Sequence, residues 1–165
     1  NSLLKKEWLN PNTMKHIKLF EDFLNEIGDG GAAKYKTLIK IKENTHEIHT
    51  FKTETQDYQV YFEFQEDWTR EGESLEMLIE FSVNGGKDSH IVTNKGEMYR
   101  VMATIVDLSK KILKRRKNIH VISFTGSKNK GTNDRRRNNL YMAYMKKHLK
   151  PKNIEDDGNT IRIEL

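Results

Sequence analysis

The spacing of apolar residues changes abruptly along this chain, and that change constrains the fold more than any other feature. From residue 35 to residue 83, apolar side chains recur at every second position, which is typical of strands with one buried face. From residue 95 to about residue 117, they recur every three or four positions, which is typical of an amphipathic helix. The first segment therefore predicts a series of strands, and the second predicts a long helix.

The chain after this helix again alternates between strand and helix. Residues 118–124 form a short apolar run, a loop rich in Gly and Lys follows, and a second helical pattern ends at Pro151. Residues 161–165 alternate once more and predict a last strand. We expect an α+β domain in which an antiparallel β-meander is followed by helix, strand, helix and strand, with the helices packed on the sheet.

Residues 1–33 are predicted to be separate from this domain, which spans residues 34–165. Residues 14–27 have helical spacing, and residues 28–33 have the composition of a flexible Gly-rich linker. We expect a helical leader, a short amphipathic helix whose apolar face docks on a partner protein. The candidate docking residues are Ile17, Phe20, Leu24 and Ile27.

The composition excludes several kinds of site. The 165 residues include no cysteine, so the chain has no disulfide, no thiolate nucleophile and no cysteine-ligated metal. No apolar run approaches the roughly 18 residues needed to span a bilayer, and we expect no membrane partner. His46 and His49 lie three residues apart in a predicted strand, so they point to opposite faces. We predict exposed polar residues there and no metal site.

Positive charge is concentrated in the last third of the chain. The net charge is +5, but residues 110–152 contain fifteen Lys or Arg and a single acid, Asp134. The rest of the chain contains fourteen Lys or Arg and twenty-three acids. A chain with this charge separation is expected to present a basic face to an anion, either nucleic acid or the acidic surface of a protein.

The loop from Gly126 into the second helix is the strongest candidate for that contact. Backbone N–H groups of a glycine-containing loop and the positive end of the following helix both suit a phosphate. Basic residues at a helix N-terminus are unfavourable unless an anion compensates them. Alternatively, Arg135, Arg136 and Arg137 point in different directions around the helix and pair with acidic residues of the strands. The predicted residues for binding nucleic acid or another anion are Arg115, Arg116, Lys128, Lys130, Arg135, Arg136 and Arg137.

No residue is assigned a catalytic role from the sequence. Gly126 and Gly131 have the spacing of the phosphate-binding loop of nucleotide hydrolases, but Thr132 stands where that loop has its lysine. Carboxylates are abundant between Glu63 and Glu76, mostly in or beside a loop, and no acid–base pair stands out among them. We therefore expect a solvated acidic loop, and neither a catalytic residue nor a metal ligand.

The C-terminal half resembles the GCN5-related N-acetyltransferases in the order of its predicted elements. Antiparallel strands, a long helix, a strand, a helix carrying Asn139-Leu140-Tyr141 and a last strand are similar to that family over about residues 75–165. The resemblance implies acetyl coenzyme A as a cofactor, bound where the long helix begins. The segment at that position, Thr93 to Met98, contains a single glycine where the family has several.

The leader resembles short N-terminal segments of proteins from large tailed bacteriophages. The stretch from Met14 to Glu26 is similar to segments that target a protein into the prohead and are removed by a protease after Leu-x-Glu or Ile-x-Glu. Leu24-Asn25-Glu26 fits that pattern, which implies processing after Glu26. The body of the chain also resembles phage proteins with a terminal Arg-x-x-Leu-Tyr helix. These resemblances imply a virion or the cytoplasm of an infected host as the location, and other virion proteins as partners.

Two functions of different classes follow from these observations. The first is a non-enzymatic phage protein, packaged or structural, whose basic face binds nucleic acid or an acidic partner without a cofactor. The alternative is a protein with the acyltransferase fold, active or degenerate, that uses acetyl coenzyme A. Affinity for nucleic acid that depends on salt favours the first, and binding of the cofactor favours the second.

Overall fold

A computed structural model describes residues 34–84, 95–125, 136–157 and 160–165, with their side chains except those of residues 95, 96, 125, 136–138, 140 and 141. Residues 34–165 form one compact unit. Within the described residues, a seven-stranded sheet combines with two helices, which confirms the predicted α+β class. The predicted leader, with its docking residues and the processing site at Glu26, lies outside the described residues.

Strands and helices follow one another along the described part of the chain. The strands are β1 (Thr37–Lys42), β2 (His46–Lys52), β3 (Asp57–Glu66), β4 (Leu75–Val83), β5 (Ile119–Thr125), β6 (Asn153–Asp156) and β7 (Thr160–Glu164). The helices are α1 (Lys95–Arg115), between β4 and β5, and α2 (Arg136–Leu149), between β5 and β6. One strand was predicted after α2, whereas the structure has two. The additional strand, β6, is a short and largely exposed segment that pairs with β7, so it carries little apolar alternation to reveal it.

The strands form one mixed sheet in the order β1-β2-β3-β4-β5-β7-β6. Each of β1 to β4 pairs antiparallel with its neighbour in sequence. β4 and β5 are parallel and are connected through α1, since parallel neighbours require a crossover over one face of the sheet. β7 lies between β5 and β6 and is antiparallel to both. β1 and β6 are therefore the two edges of the sheet.

The core lies between α1 and the face of the sheet that α1 covers. In β3, every second side chain is almost completely buried, from Tyr58 (2% exposed) to Phe64 (8% exposed). Burial of each large apolar side chain of this kind contributes roughly 1.5–3 kcal/mol. α1 contributes a buried stripe at helical spacing. Members of that stripe with no exposed surface are Val101, Met102, Ile105 and Ile112.

The first turns of α1 are held by the turn between β2 and β3. The hydroxyl of Thr55 donates to both carboxylate oxygens of Glu97, at 2.8 and 3.0 Å. Arg100 lies 2.7 Å from the carboxylate of Glu54, and its guanidinium is 4.0 Å from the ring centroid of Tyr35. Burial, together with the hydrogen bond that the phenol donates to Glu54, raises the pKa of Tyr35 to about 12. These contacts fix the N-terminal end of α1 on the sheet.

Other segments of the chain also meet near both ends of α1. The backbone N–H of Leu75, at the start of β4, donates to the carbonyl of Asn118 at 2.9 Å, just beyond α1. α2 packs against α1, and the hydroxyl of Tyr144 donates to the carbonyl of Tyr99 at 3.5 Å. Just after α2, Lys150 adopts a left-handed conformation (φ 48°), which ends the helix without a glycine.

Candidate nucleic-acid interface

The seven predicted anion-binding residues fall into two groups in the structure. The five from Lys128 to Arg137 lie outside the described side chains, although Arg136 and Arg137 are the first two residues of α2. The first turn of α2 contains no acidic residue. Arg115 and Arg116, at the end of α1, are described in full, and both contact other parts of the domain.

Arg115 reaches from the last turn of α1 to the buried side of β2. Its Nη2 atom lies 2.9 Å from Oε1 and 3.0 Å from Oε2 of Glu47. The Glu47 side chain has no exposed surface, whereas that of Arg115 remains 39% exposed. A buried carboxylate without a cation is strongly unfavourable, so Arg115 neutralises Glu47 and fixes the end of α1 to the sheet.

His49 lies on the same buried side of β2 as Glu47. Its Nε2 atom is 3.4 Å from Oε2 of Glu47, and its Nδ1 atom has no hydrogen-bond partner among the described residues. Burial lowers the pKa of His49 below its usual 6.5, and the charges of Arg115 and Lys42 add to this, whereas Glu47 acts in the opposite direction. The prediction of exposed polar residues here is wrong, because β2 turns Glu47, His49 and Phe51 towards the core.

Arg116 contacts the turn between β1 and β2. Its Nη1 and Nη2 atoms donate to the carbonyls of Asn44 and Glu43, each at 3.0 Å. The guanidinium also lies 3.8 Å from the ring centroid of Phe64. A stacked guanidinium of this kind contributes roughly 0.5–2 kcal/mol. Both arginines that were predicted in α1 are therefore engaged in contacts within the domain.

The lysines of the same basic run lie on another side of α1. Lys110 and Lys114 are exposed and one turn apart, and the exposed Lys117 follows just after the helix. None of these three forms an ion pair with an acidic side chain in the part of the chain that the structure describes. They therefore carry positive charge that the described domain does not neutralise by direct contact.

These lysines line a shallow groove between the ends of α1 and α2, which we call the lysine groove. It has a volume of about 540 Å³, and Leu113 and Leu149 provide apolar surface in its lining. A lysine side chain lays its methylene groups on apolar surface while its ammonium group stays in water. The residues that line the lysine groove are Asp107, Lys110, Lys111, Leu113, Lys114, Lys117 and Leu149.

Among the described residues of that lining, Asp107 is the only acid, and two lysines neutralise it. Lys34 lies 2.9 Å from its Oδ1 atom, and Lys111 lies 3.0 Å from its Oδ2 atom. Burial on its own would raise the pKa of Asp107, but the hydrogen bonds and charges of these two lysines lower it below its usual value. Asp107 is therefore ionised at neutral pH, and the lining still contains an excess of positive charge.

The signal that separates these lysines from the arginines is present in the sequence. Each residue of a helix is rotated by about 100° from the one before it, so Lys114 lies only about 40° from Lys110. Arg115 lies about 100° further round, towards the buried stripe. The prediction took the basic run as one cluster, whereas its angular spacing divides it into two sides.

In and beside the loop between β3 and β4, Glu66, Glu71 and Glu73 are exposed, as expected of a solvated acidic loop, but Asp67 is buried. The side chain of Asp67 is only 1% exposed, and it accepts hydrogen bonds from the N–H and the hydroxyl of Thr69 at 3.1 and 2.6 Å. Arg162 and Arg70 lie 3.6 and 3.8 Å from its carboxylate. Burial on its own would raise the pKa of Asp67, but these hydrogen bonds and cations lower it. Asp67 therefore stabilises the conformation of this loop through these hydrogen bonds and ion pairs.

No protein-family model matches this chain, and no curated protein or solved structure is significantly similar to it. Within the described ranges, no group of three or more His, Asp or Glu side chains is arranged to hold a metal ion. The helices of the described residues also lack the length and apolarity needed to cross a bilayer.

Proposed function

We propose that this protein is a non-enzymatic bacteriophage protein, packaged in the virion or part of it, whose basic face binds nucleic acid. The lysine groove is the observation that supports binding. Lys110, Lys114 and Lys117 present exposed ammonium groups without acidic partners among the described residues. Such groups attract a phosphate backbone, because each phosphate that they neutralise releases condensed counterions. The Leu24-Asn25-Glu26 pattern supports the phage origin.

The lining of the groove suits phosphates better than base edges. Lysine is a compact charge on a flexible stem, whereas sequence is commonly read by bidentate contacts from Arg, Asn or Gln. Among the described residues, the lining contains none of those three residue types. Lys110 and Lys114 are about 6 Å apart along the axis of α1, and Lys117 follows just after the helix. We therefore expect binding that is independent of base sequence.

A salt titration of binding to a labelled DNA duplex tests this proposal, with single-stranded DNA and RNA measured in parallel. The triple substitution Lys110→Gln, Lys114→Gln and Lys117→Gln should make the slope of log K against log salt shallower by about 2–3. We expect it to lower affinity at least about tenfold at low salt. The matched control is Lys52→Gln, Lys146→Gln and Lys150→Gln, which removes the same charge from exposed positions outside the described lining of the groove.

Three results would contradict binding through the lysine groove. They are no affinity for any nucleic acid, affinity that does not change with salt, and an equal loss in the control triple variant. An acidic protein surface is the other partner that this charge fits. Competition with poly-glutamate separates the two partners. Displacement of DNA at equal charge concentration would show that the groove accepts any polyanion.

Processing of the leader provides an independent test of the phage assignment. Removal of the leader after Glu26 predicts that the protein in mature particles begins at Ile27. Protein from the cytoplasm of infected cells, before packaging, should still contain Met14 to Glu26. Mass spectrometry of the N-terminal peptide from both sources measures this. A chain in mature particles that retains residues 14–26 would contradict the proposed processing.

An acyltransferase-like protein that uses acetyl coenzyme A is the second candidate, and one observation favours it. β4 and β5 are parallel neighbours, and their pairing ends at Ile79 and Phe124 although β4 continues to Val83. In sheets with parallel strands, ligands commonly bind beyond the carboxyl ends of those strands. The resemblance to the GCN5-related N-acetyltransferases would place acetyl coenzyme A there.

Thermal unfolding with and without acetyl coenzyme A discriminates between the two candidates. A ligand that binds only the native protein must raise its melting temperature, by an amount that increases with ligand concentration. A rise with acetyl coenzyme A but not with inorganic pyrophosphate, which controls for anion binding at basic residues, would favour the acyltransferase. No rise at saturating concentration would leave nucleic-acid binding as the proposed function.

A further inference from the structure

The two edges of the sheet have opposite charges. β1 and β6 lie at the ends of the strand order, so each pairs on one side only among the described residues. The residues in and just before β1 include Lys36, Lys40 and Lys42, all exposed, and no acid. An exposed edge strand is a template for pairing with another chain, unless the protein blocks it.

The β1 edge also exposes two adjacent apolar side chains. Leu38 is 65% exposed and Ile39 is 57% exposed, although they lie next to each other in a strand and therefore point to opposite faces. A strand whose purpose was only to terminate the sheet would be polar on both faces. The apolar pair favours a contact of this edge with another strand.

The β6 edge has the complementary character. Glu155 and Asp156 are exposed in β6, and the exposed Asp157 follows directly. Ile154, in the same strand, is only half-buried. Opposite charges on directly facing strands stabilise pairing, whereas like charges destabilise it.

The direction of the strands also fits a contact between these two edges. Following the pairings across the sheet, β1 and β6 run in opposite directions. A second copy placed beside the first in the same orientation would therefore set its β1 antiparallel to β6 of the first copy. The sheet would continue across the contact, and α1 of both copies would lie on the same side.

We infer that this protein associates with itself edge to edge, with the β1 edge of one copy pairing with the β6 edge of a second copy. The charges select this contact, because β1 against β1 places lysines opposite lysines, and β6 against β6 places acids opposite acids. The register irregularity between Ile39 and Ile41 distorts β1 locally, which further disfavours indiscriminate pairing. A contact between two different surfaces of the same chain builds rings or open chains of copies.

Sedimentation velocity of the nuclease-treated protein tests this inference. At about 0.1 M salt, the sedimentation coefficient should rise with protein concentration, and the rise should weaken at about 1 M salt because exposed charges are then screened. Lys40→Glu and Glu155→Lys should each weaken association at least about tenfold, since each opposes like charges across the contact. The double variant Lys40→Glu/Glu155→Lys restores opposite charges and should associate again, as should an equimolar mixture of the two single variants.

The matched control is Lys146→Glu, an exposed residue of α2 away from both edges, which should leave association unchanged. Circular dichroism and thermal unfolding confirm that each variant is folded. A wild-type protein that stays monomeric at the highest concentration would overturn the inference. So would single reversals without effect, or a double variant that fails to recover. Nucleic-acid binding through the lysine groove is measured separately, so either proposal stands or fails without the other.

Discussion

The last turns of α1 have two sides that differ in how they use positive charge. On the side facing the sheet, Arg115 pairs with the buried Glu47, and Arg116 stacks on Phe64. On the side facing the lysine groove, Lys110 and Lys114 extend into solvent. The planar guanidinium donates several hydrogen bonds in fixed directions and is weakly hydrated, so it suits the buried side. The strongly hydrated ammonium on a flexible stem suits the exposed side. Residues that are neighbours in sequence and equal in charge therefore have different roles.

The largest expected effect is a difference between the two sides of α1 in how much they contribute to the free energy of unfolding. Arg115→Met should lower the free energy of unfolding by about 2–4 kcal/mol, because Glu47 then remains buried without its cation. Lys114→Met, which removes the same charge from the groove side, should change it by less than about 0.5 kcal/mol. Urea unfolding of both variants measures the difference. Equal effects would mean that the two sides do not differ in their contribution to stability.

A second expected effect is a loss of stability on mild acidification that arises on the sheet side. Because the pKa of His49 is lowered in the folded protein, the unfolded chain takes up its proton at higher pH than the folded protein does. Stability is therefore fully present above the usual pKa of 6.5 and falls as the pH decreases below it. His49→Phe should remove most of the loss between about pH 7 and about pH 5. His46→Gln serves as the control, because its ring contacts Tyr61 on the other face of the sheet.

Asp67 and Asp107 lose their contribution to the free energy of unfolding at lower pH than His49 does. The pKa values of Asp67 and Asp107 are lowered from the usual 3.8, so their contribution is present above that pH and falls as the pH decreases through the lowered values. The free energy of unfolding of wild type should therefore decrease in two steps as the pH is lowered. A single step that His49→Phe leaves unchanged would contradict the assignment of the upper step to His49.

A smaller expected effect is a difference between the two sides of α1 in how much they contribute to nucleic-acid binding. Lys114→Gln should make the salt slope for nucleic acid shallower by about 0.9 and weaken binding roughly three- to tenfold. Arg116→Gln should leave the slope unchanged, since its guanidinium already donates to carbonyls of the domain. Both are measured by salt titration after folding is checked. A change in slope for Arg116→Gln instead of Lys114→Gln would assign the interface to the arginines, as the sequence predicted.

The smallest expected effect concerns the pair at the rim of the groove. Lys111 and Asp107 are 3.0 Å apart at i, i+4 spacing, but the Lys111 side chain is 67% exposed. Exposed pairs of this kind contribute about 0.3–0.5 kcal/mol. A double-mutant cycle of Lys111→Ala and Asp107→Ala measures the coupling. A coupling above about 1 kcal/mol would show that the groove side also contributes to stability.

Much of the fold could be predicted from the sequence, because the alternation of apolar residues in strands and their spacing in helices are local patterns. The buried residues of β3 and the stripe of α1 lie where that spacing predicts them. β2 was harder, since Glu47 and His49 occupy buried positions where the pattern leads one to expect apolar residues. β6 was missed because its four residues carry no clear alternation. The two failures have different causes, because a buried polar residue is understood only when its partner is known, whereas a short exposed strand has no pattern to recognise.

The candidate site was harder to predict from the sequence than the fold was. The basic run at the end of α1 was recognised as a cluster, but Arg115 and Arg116 were selected from it, and the groove is lined by the lysines beside them. The five predicted residues from Lys128 to Arg137 lie outside the described side chains, and their proposed role stays a prediction. Leu149 joins the groove from α2, which no local pattern in the sequence could indicate.

The sequence by itself determined the α+β class, the concentration of charge in the last third, and the absence of cysteine chemistry. All three depend on composition or on spacing over a few residues. The tertiary structure alone decided which charges are used within the domain. Arg115 and Glu47 are 68 residues apart in the chain, and only the packing of α1 on β2 brings them within 2.9 Å. The same holds for the opposite charges of the β1 and β6 edges, since the order of strands determines which segments become edges.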